Sequence, residues 1–230
     1  MNTFADRAIA FNNSLHYEGV LPPGIGVMNP FQNNEAAVEA SEQFYHRYYN
    51  DNKIRHILIG INPGRFGAGQ TGVPFTDPIR LRNECEIPYH GGTSREASSV
   101  FIYEMIKAYG GVEKFYGDFF ISALSPLGFT QLTAKGNPVN HNYYDSKELL
   151  KASYPFIIDS LQKQLSLGIN LEKAICLGTG KNYQYLQKIN KQYQFFNEII
   201  PLEHPRYIIQ YKSKSKQEYI NQYLDTLHSL

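Results

Sequence analysis

Two polar side chains in this sequence each follow a short apolar run and precede a proline. Asn62 stands before Pro63, and His204 stands before Pro205. A neutral amide is a poor base, but it can accept a hydrogen bond from water and fix the direction of the water's attack. An imidazole N–H can stabilise negative charge on a departing group. Each residue also has an ordinary interpretation, because Asn62 could cap its own turn and His204 could be a hydrogen-bonded surface residue.

The loop that follows Asn62 is rich in glycine. Residues 62–75 contain four glycines and two prolines and end in Phe75. Glycine has no Cβ, so backbone N–H groups in such a loop can approach a flat ligand closely. Together with the Asn62 amide and an aromatic face at Phe75, the loop predicts a pocket for a planar polar molecule such as a nucleobase. A strand followed by an irregular loop without a ligand stays the alternative.

Apolar runs alternate with helical patterns along the chain. This alternation predicts a single-domain three-layer α/β/α fold with a central, mainly parallel, four-stranded sheet. Asn62 and His204 then lie at the same edge of the sheet, where ligands bind in open α/β folds. The predicted strands are 55–61, 119–124, 173–178 and 198–202, and the predicted helices are 3–16, 35–50, 94–108, 144–165, 181–192 and 213–227.

Other segments are expected to be irregular. Residues 20–33, 77–95 and the asparagine-rich stretch after Gly128 carry no clear periodicity. Ser94 is expected to cap the helix at 94–108.

Composition excludes several functional classes. The 230 residues carry a net charge of +1, so a nucleic-acid partner would require a local basic face. Cys85 and Cys176 lie far apart, and the seven histidines show no zinc spacing, so no metal and no cofactor are expected. Neither a signal peptide nor a membrane span is evident. We therefore expect a cytoplasmic monomer.

A basic and aromatic cluster near the end of the chain is the best local signal for DNA. Cations there can bind phosphates while an aromatic ring enters a base stack. A solvated loop is the alternative. The expected DNA-binding residues are Arg206, Tyr207, Lys212, Lys214 and Lys216. The stretch Gly178-Thr179-Gly180-Lys181 lacks the spacing of a phosphate loop, so a nucleotide-binding module is a weaker interpretation.

Three blocks of sequence resemble the uracil-DNA glycosylase superfamily, and most of all its single-strand-selective monofunctional members. The blocks are residues 60–75, residues 120–127 and His204-Pro205-Arg206. The similarity covers residues 27–230 as a glycosylase-like domain and leaves an N-terminal helix and loop, residues 1–26, outside. The resemblance implies a base-flipping hydrolase for base excision repair, without a metal or a lyase step. Its substrate would be uracil, or 5-substituted uracil, in single-stranded or mismatched DNA.

Site residues are carried over by position. The resemblance implies that Asn62 orients the water that attacks the sugar C1′ and that His204 stabilises the departing uracil anion. Phe75 would stack on the base, and residues 206–211 would fill the vacated stack. The base would further be lined by Gly64, Arg65, Phe66, Gly67, Ala68, Ser122 and Ala123.

The sequence departs from the family's pattern at two places. Ala123 stands where the family has an asparagine that reads the uracil edge, and Arg206 follows Pro205 directly, so the loop after His204 is shortened. Alternatives for the missing amide are Ser122, Ser125, Asn137 and Asn140. A non-catalytic DNA- or base-binding protein of the same fold is one alternative function. A G·U mismatch-specific glycosylase, which shares Gly-Ile-Asn-Pro-Gly at 60–64, is another.

Overall fold

The computed structural model describes residues 2–32 and 34–230. Met1, in the predicted N-terminal segment, and Asn33, at the end of the predicted 20–33 loop, lie outside the described residues. None of the helices in these ranges is long and apolar enough to cross a membrane.

A four-stranded parallel sheet forms the centre of the fold. It consists of β2 (Arg55–Gly60), β3 (Phe119–Ala123), β6 (Ile169–Leu177) and β7 (Glu198–Leu202) in the order β3-β2-β6-β7. Ile57 pairs with Phe120 on one side and with Ala174 on the other. Strands covered on both faces are apolar throughout, which is why the sequence marks them clearly. The predicted α/β fold with a central parallel sheet is confirmed.

Six helices correspond to predicted ones, and their ends follow ordinary capping chemistry. Thr3 and Asp6 form a capping box at the first helix, and Asn34 and Ser146 accept hydrogen bonds from backbone N–H groups at two others. These helices are α1 (Phe4–Asn13), α2 (Glu35–Tyr49), α5 (Ala97–Tyr109), α7 (Lys147–Leu165), α8 (Lys181–Tyr193) and α10 (Lys216–His228).

The prediction that Ser94 caps a helix is wrong. Helix α5 begins at Ala97, and the Ser94 hydroxyl instead donates to the Phe66 carbonyl at 2.8 Å. The sequence also missed short helices, because each spans about two turns or fewer and shows no periodicity. They are α3 (Ala68–Thr71), α4 (Pro78–Asn83), α6 (Val112–Asp118) and α9 (Pro205–Tyr211), with a 3-10 turn at Ser213–Ser215.

A second, antiparallel sheet lies where loops are predicted. It joins β1 (Ile25–Met28), β4 (Gly128–Leu132) and β5 (Pro138–His141) in the order β1-β4-β5. These strands are short, and Pro138, Val139 and Asn140 of β5 are exposed, so no alternation of apolar and polar residues marks them. Pairing between distant segments, Val27 with Phe129 and Phe129 with His141, creates this sheet. This sheet places β5 beside the end of β2.

Helix α1 packs into the same core as the central sheet. Phe4, Ala5 and Ala8 are fully buried. The Phe4 ring lies 5.2 Å from the Phe120 ring of β3 and 5.4 Å from the Tyr49 ring of α2. The division of the chain after residue 26 stays a prediction, but α1 shares its packing with the rest of the molecule.

Candidate active site

A cleft of about 300 Å³ opens at the carboxyl ends of β2, β3 and β7. It brings Asn62 and Phe75 of the glycine-rich loop together with His204, which is far from them in the sequence. Of the residues expected to contact the base or DNA, the cleft is also lined by Gly64, Ala68, Ser122, Ala123, Arg206 and Tyr207. The sequence predicts a ligand at the carboxyl edge of the sheet, and the cleft opens at this edge.

The Asn62 amide is held in one orientation by the end of β5 and the segment that follows it. Its Oδ1 accepts a hydrogen bond from the Tyr143 N–H at 3.2 Å, and its Nδ2 donates to the His141 carbonyl at 3.5 Å. Nδ2 also lies 3.3 Å from the Pro63 carbonyl. Since a backbone N–H needs an acceptor, these contacts identify the oxygen end of the amide. A carbonyl oxygen has two lone pairs, so Oδ1 retains one for a water molecule.

His204 is the N-cap of α9, and this position determines which ring nitrogen is the donor. Nδ1 accepts a hydrogen bond from the Arg206 N–H at 3.1 Å. A neutral ring whose Nδ1 accepts must carry its proton on Nε2. Burial, assisted by the nearby charge of Arg206, lowers the pKa of His204 to about 4. The ring is therefore a neutral N–H donor at neutral pH.

The Phe75 ring forms a side wall beside His204. The two ring centroids are 5.8 Å apart with an interplanar angle of 45°. A Cβ added to Gly60 would lie 2.8 Å from the Phe75 ring, so glycine is needed at the end of β2 for this ring to pack there. Phe75 has a φ of 52°, in the left-handed region that costs a bulky residue free energy. Such a conformation is typical of functional sites.

Some residues of the glycine-rich loop line the cleft, and others lie on the outer surface. Gly64 and Ala68 line the cleft, whereas Phe66 is exposed on the surface. The Arg65 N–H donates to Asn140 Oδ1 at 3.0 Å, and its guanidinium donates to the Pro138 carbonyl. Arg65 therefore connects the loop to β5, and its side chain does not line the cleft.

The alternatives for the missing amide differ in where the structure places them. Ser122 lines the cleft. Asn140 also lines it, and its Oδ1 accepts one hydrogen bond from the Arg65 N–H. The Ser125 hydroxyl donates to the Leu127 carbonyl at 2.8 Å, within a turn. Asn137 is exposed beside β5, away from the cleft-lining set.

Glu96 is a cleft residue that the sequence analysis missed. It is the N-cap residue of α5, and its carboxyl lies against Gly64 and Gly67, where a Cβ on either glycine would collide with it. Burial, with a further contribution from the neighbouring charge of Asp77, raises the pKa of Glu96 to about 7. A single acidic residue ahead of a helix carries no signal of a pocket, so only the fold could reveal it.

Asn12 is a second missed residue. The cleft reaches α1 and α2, where Phe11, Asn12 and Tyr45 line it. The sequence of α1 signals no functional residue, because the pattern of this helix is that of a core face.

Exposed cations and tyrosines lie on and after α9. Tyr207 and Tyr211 are 39% and 66% exposed, with ring centroids 5.4 Å apart. Arg206, Lys212 and Lys214 are exposed. Lys216 is different, since its Nζ forms an ion pair with Glu104 of α5 at 2.5 Å. The structure therefore brings Arg206 and Tyr207 to the cleft and engages Lys216 elsewhere.

Comparison with known proteins identifies the class. The model of the Uracil DNA glycosylase superfamily matches residues 46–228, so the chain belongs to this superfamily. Among solved structures, the fold is similar to the crystal structure of wild-type SMUG2 from Pedobacter heparinus. The two chains are 57% identical with a TM-score of 0.97, over 100% of this chain and 98% of the other. No curated protein matches the sequence. The resemblance to single-strand-selective uracil-DNA glycosylases is thus confirmed, and a DNA glycosylase activity is supported.

Proposed function

We propose that this protein is a monofunctional glycosylase that hydrolyses the N-glycosidic bond of uracil in DNA for base excision repair. The observation that carries the proposal is that Asn62 and His204 line one cleft in complementary states. Asn62 presents a fixed hydrogen-bond acceptor, and His204 presents a neutral N–H donor. Hydrolysis of a base from its sugar requires an acceptor for the water and a donor for the base.

Asn62 positions the water in this mechanism. With Oδ1 held by Tyr143, its free lone pair accepts a hydrogen bond from a water aimed at C1′ of the sugar. The water oxygen forms the new bond to C1′ and loses a proton, while the bond between C1′ and N1 of the base breaks. The products are an abasic site and uracil, which takes up a proton. Positioning alone lowers the barrier because it removes the entropy cost of bringing the water to C1′.

His204 stabilises the leaving group. The electron pair of the breaking bond passes to the base, and Nε2–H of the neutral ring donates to the oxygen on which the charge develops. Backbone N–H groups of Gly64 and Ala68, which line the cleft, add further donors, and the Phe75 ring stacks on the base. A neutral Nε2–H donor suits this step because it stabilises the anion through a hydrogen bond while keeping its own proton. Nδ1 carries no proton, since it accepts a hydrogen bond from the Arg206 N–H.

Single-stranded or mismatched DNA is the proposed substrate. Flipping a base from an intact duplex costs a few kcal/mol, and the cost is smallest where the base is unpaired. Tyr207 and Tyr211 offer exposed rings to the vacated stack, and Arg206 offers a charge to a phosphate. Helix α9 begins directly after His204, so no extended loop is present there to reach into a duplex, which favours single strands. Monomeric state and cytoplasmic location stay predictions.

The test is excision from a uracil-containing single-stranded oligonucleotide, followed by alkali to cleave abasic sites. We expect the wild type to cleave it and Asn62→Ala to lose roughly 10²–10⁴-fold in single-turnover rate. Affinity of Asn62→Ala for an abasic oligonucleotide should stay close to that of the wild type, since the water-binding amide does not hold DNA.

Two further outcomes separate the alternatives. Near-wild-type excision by Asn62→Ala would contradict the assigned role of the amide. Tight binding of the wild-type protein without any excision would favour a non-catalytic DNA-binding protein. Matched duplexes with uracil opposite guanine or adenine, run beside the single strand, distinguish a G·U mismatch-specific enzyme from the proposed one.

A further inference from the structure

The cleft holds a polar side chain that does not come from the strand with which the family reads its base. Ala123, at the end of β3, presents only a methyl group and is 8% exposed. The same cleft is lined by Asn12 from the last turn of α1 and by Tyr45 from α2. An amide is therefore present in the cleft although position 123 supplies none.

Asn12 is buried without the hydrogen bond that such a group needs. Its side chain is 8% exposed, and Nδ2 has no hydrogen-bond partner within residues 2–32 and 34–230. Buried polar atoms are nearly always paired, since an unpaired donor loses its bonds to water without replacement. An unpaired amide that lines a cleft therefore indicates a ligand that supplies the acceptor.

Other polar groups at this end are less suited to reading a base edge. The Ser122 hydroxyl offers one donor hydrogen, and Asn140 is exposed to solvent, so its amide does not need a ligand to complete its hydrogen bonds. A primary amide offers a donor and an acceptor side by side in one plane. The exposed edge of uracil has the complementary pair, the N3–H donor and the O4 acceptor.

We propose that Asn12 reads the edge of the flipped base, with Nδ2 donating to O4 and Oδ1 accepting from N3–H, in place of the amide absent at Ala123. This inference rests on the proposed function. Helix α1 lies outside the residues that the superfamily model matches, so the reading group comes from a part of the chain that the family pattern does not include. Tyr45 of α2 lines the same cleft.

The experiment compares Asn12→Ala, Asn12→Asp and Asn13→Ala on matched single-stranded oligonucleotides that carry uracil or cytosine. Asn13 is the control because it is adjacent but exposed. We expect Asn12→Ala to lower the uracil excision rate by about 10- to 100-fold, as for a base edge left unpaired. Asn13→Ala should match the wild type. Affinity for an abasic oligonucleotide should not change, because it has no base to read.

Asn12→Asp tests reading separately from packing. A carboxyl group accepts from the cytosine N4 amino group and, when protonated, donates to N3, so the ratio of uracil to cytosine excision should fall. Because both rates come from one preparation, this ratio does not depend on the fraction of protein that is folded. The double variant Asn12→Ala, Ala123→Asn should regain uracil excision relative to Asn12→Ala, since it supplies an amide from β3.

Several results would overturn the inference. An unchanged uracil-to-cytosine ratio in Asn12→Asp, with a wild-type uracil rate in Asn12→Ala, would show that base reading lies elsewhere while leaving the proposed function intact. A wild-type protein that excises no uracil from any strand would overturn the proposed function and this inference together.

Discussion

Burial drives two titratable groups of the cleft toward their neutral forms. It lowers the pKa of His204 to about 4 and raises the pKa of Glu96 to about 7, because a desolvated site disfavours charge on an imidazole and on a carboxyl alike. His204 is thus uncharged at neutral pH, and Glu96 lies near its midpoint there. Arg206 then supplies the positive charge at the mouth of a cleft that admits a neutral base.

Glu96 should make the stability of the protein depend on pH. Its folded pKa of about 7 lies above the ordinary value of 4.5, so its contribution to stability is complete below pH 4.5 and is lost as pH rises through 7. Asp77, itself paired with Arg80 at 3.2 Å, raises this pKa, and Arg206 opposes the shift. We expect the melting temperature of Glu96→Gln, relative to the wild type, to increase between pH 5 and pH 8. An equal difference in melting temperature between Glu96→Gln and the wild type at both pH values would contradict the raised pKa of Glu96.

His204 caps the start of helix α9, Arg206 lies in its first turn, and Lys212 follows its end. The helix begins at Pro205, whose fixed φ suits the first helical position, and it packs against α5. One short helix thereby connects the donor in the cleft to the surface proposed to bind DNA. The sequence predicted a helix only from residue 213, since seven residues are too few to show a period.

Lys212 and Lys214 should bind DNA phosphates, whereas Lys216 should contribute less because it is paired with Glu104. Each phosphate contact removed should reduce the slope of log K against log salt by about 0.7 on single strands. We expect the double variant Lys212→Ala, Lys214→Ala to flatten this slope and Lys216→Ala to change it less. Titration of a fluorescent oligonucleotide with the protein over a range of salt concentrations measures this slope. Equal slopes for the double variant and the wild type would place these lysines away from DNA.

At the scale of the whole molecule, α1 and the central sheet share one core. Phe4 is fully buried, packs against Tyr49 and Phe120, and lies under the Arg55 guanidinium at 5.0 Å. The helix that we propose to read the base is thereby fixed relative to β3. Its placement near the cleft follows from this packing and not from its position in the sequence.

Phe4→Ala should therefore destabilise the entire protein. Removal of a buried phenylalanine ring costs about 3–5 kcal/mol in free energy of unfolding. We expect urea unfolding to remain a single transition at a clearly lower midpoint. Val20→Ala is the control, because Val20 is 90% exposed and its truncation should leave the midpoint unchanged. A wild-type midpoint for Phe4→Ala would show that α1 is dispensable to the core.

The sequence by itself determined the parallel sheet, six of the helices and the placement of Asn62, Phe75 and His204 at one edge. Each of these depends on a local pattern, such as an apolar run, a helical period or a glycine-rich turn. The tertiary structure alone decided the antiparallel sheet, the hydrogen bond from the Tyr143 N–H to Asn62, and the presence of Glu96 and Asn12 in the cleft. These features join segments far apart in the chain through single polar residues, and a single polar residue within a helix or loop carries no periodicity that would reveal its partner.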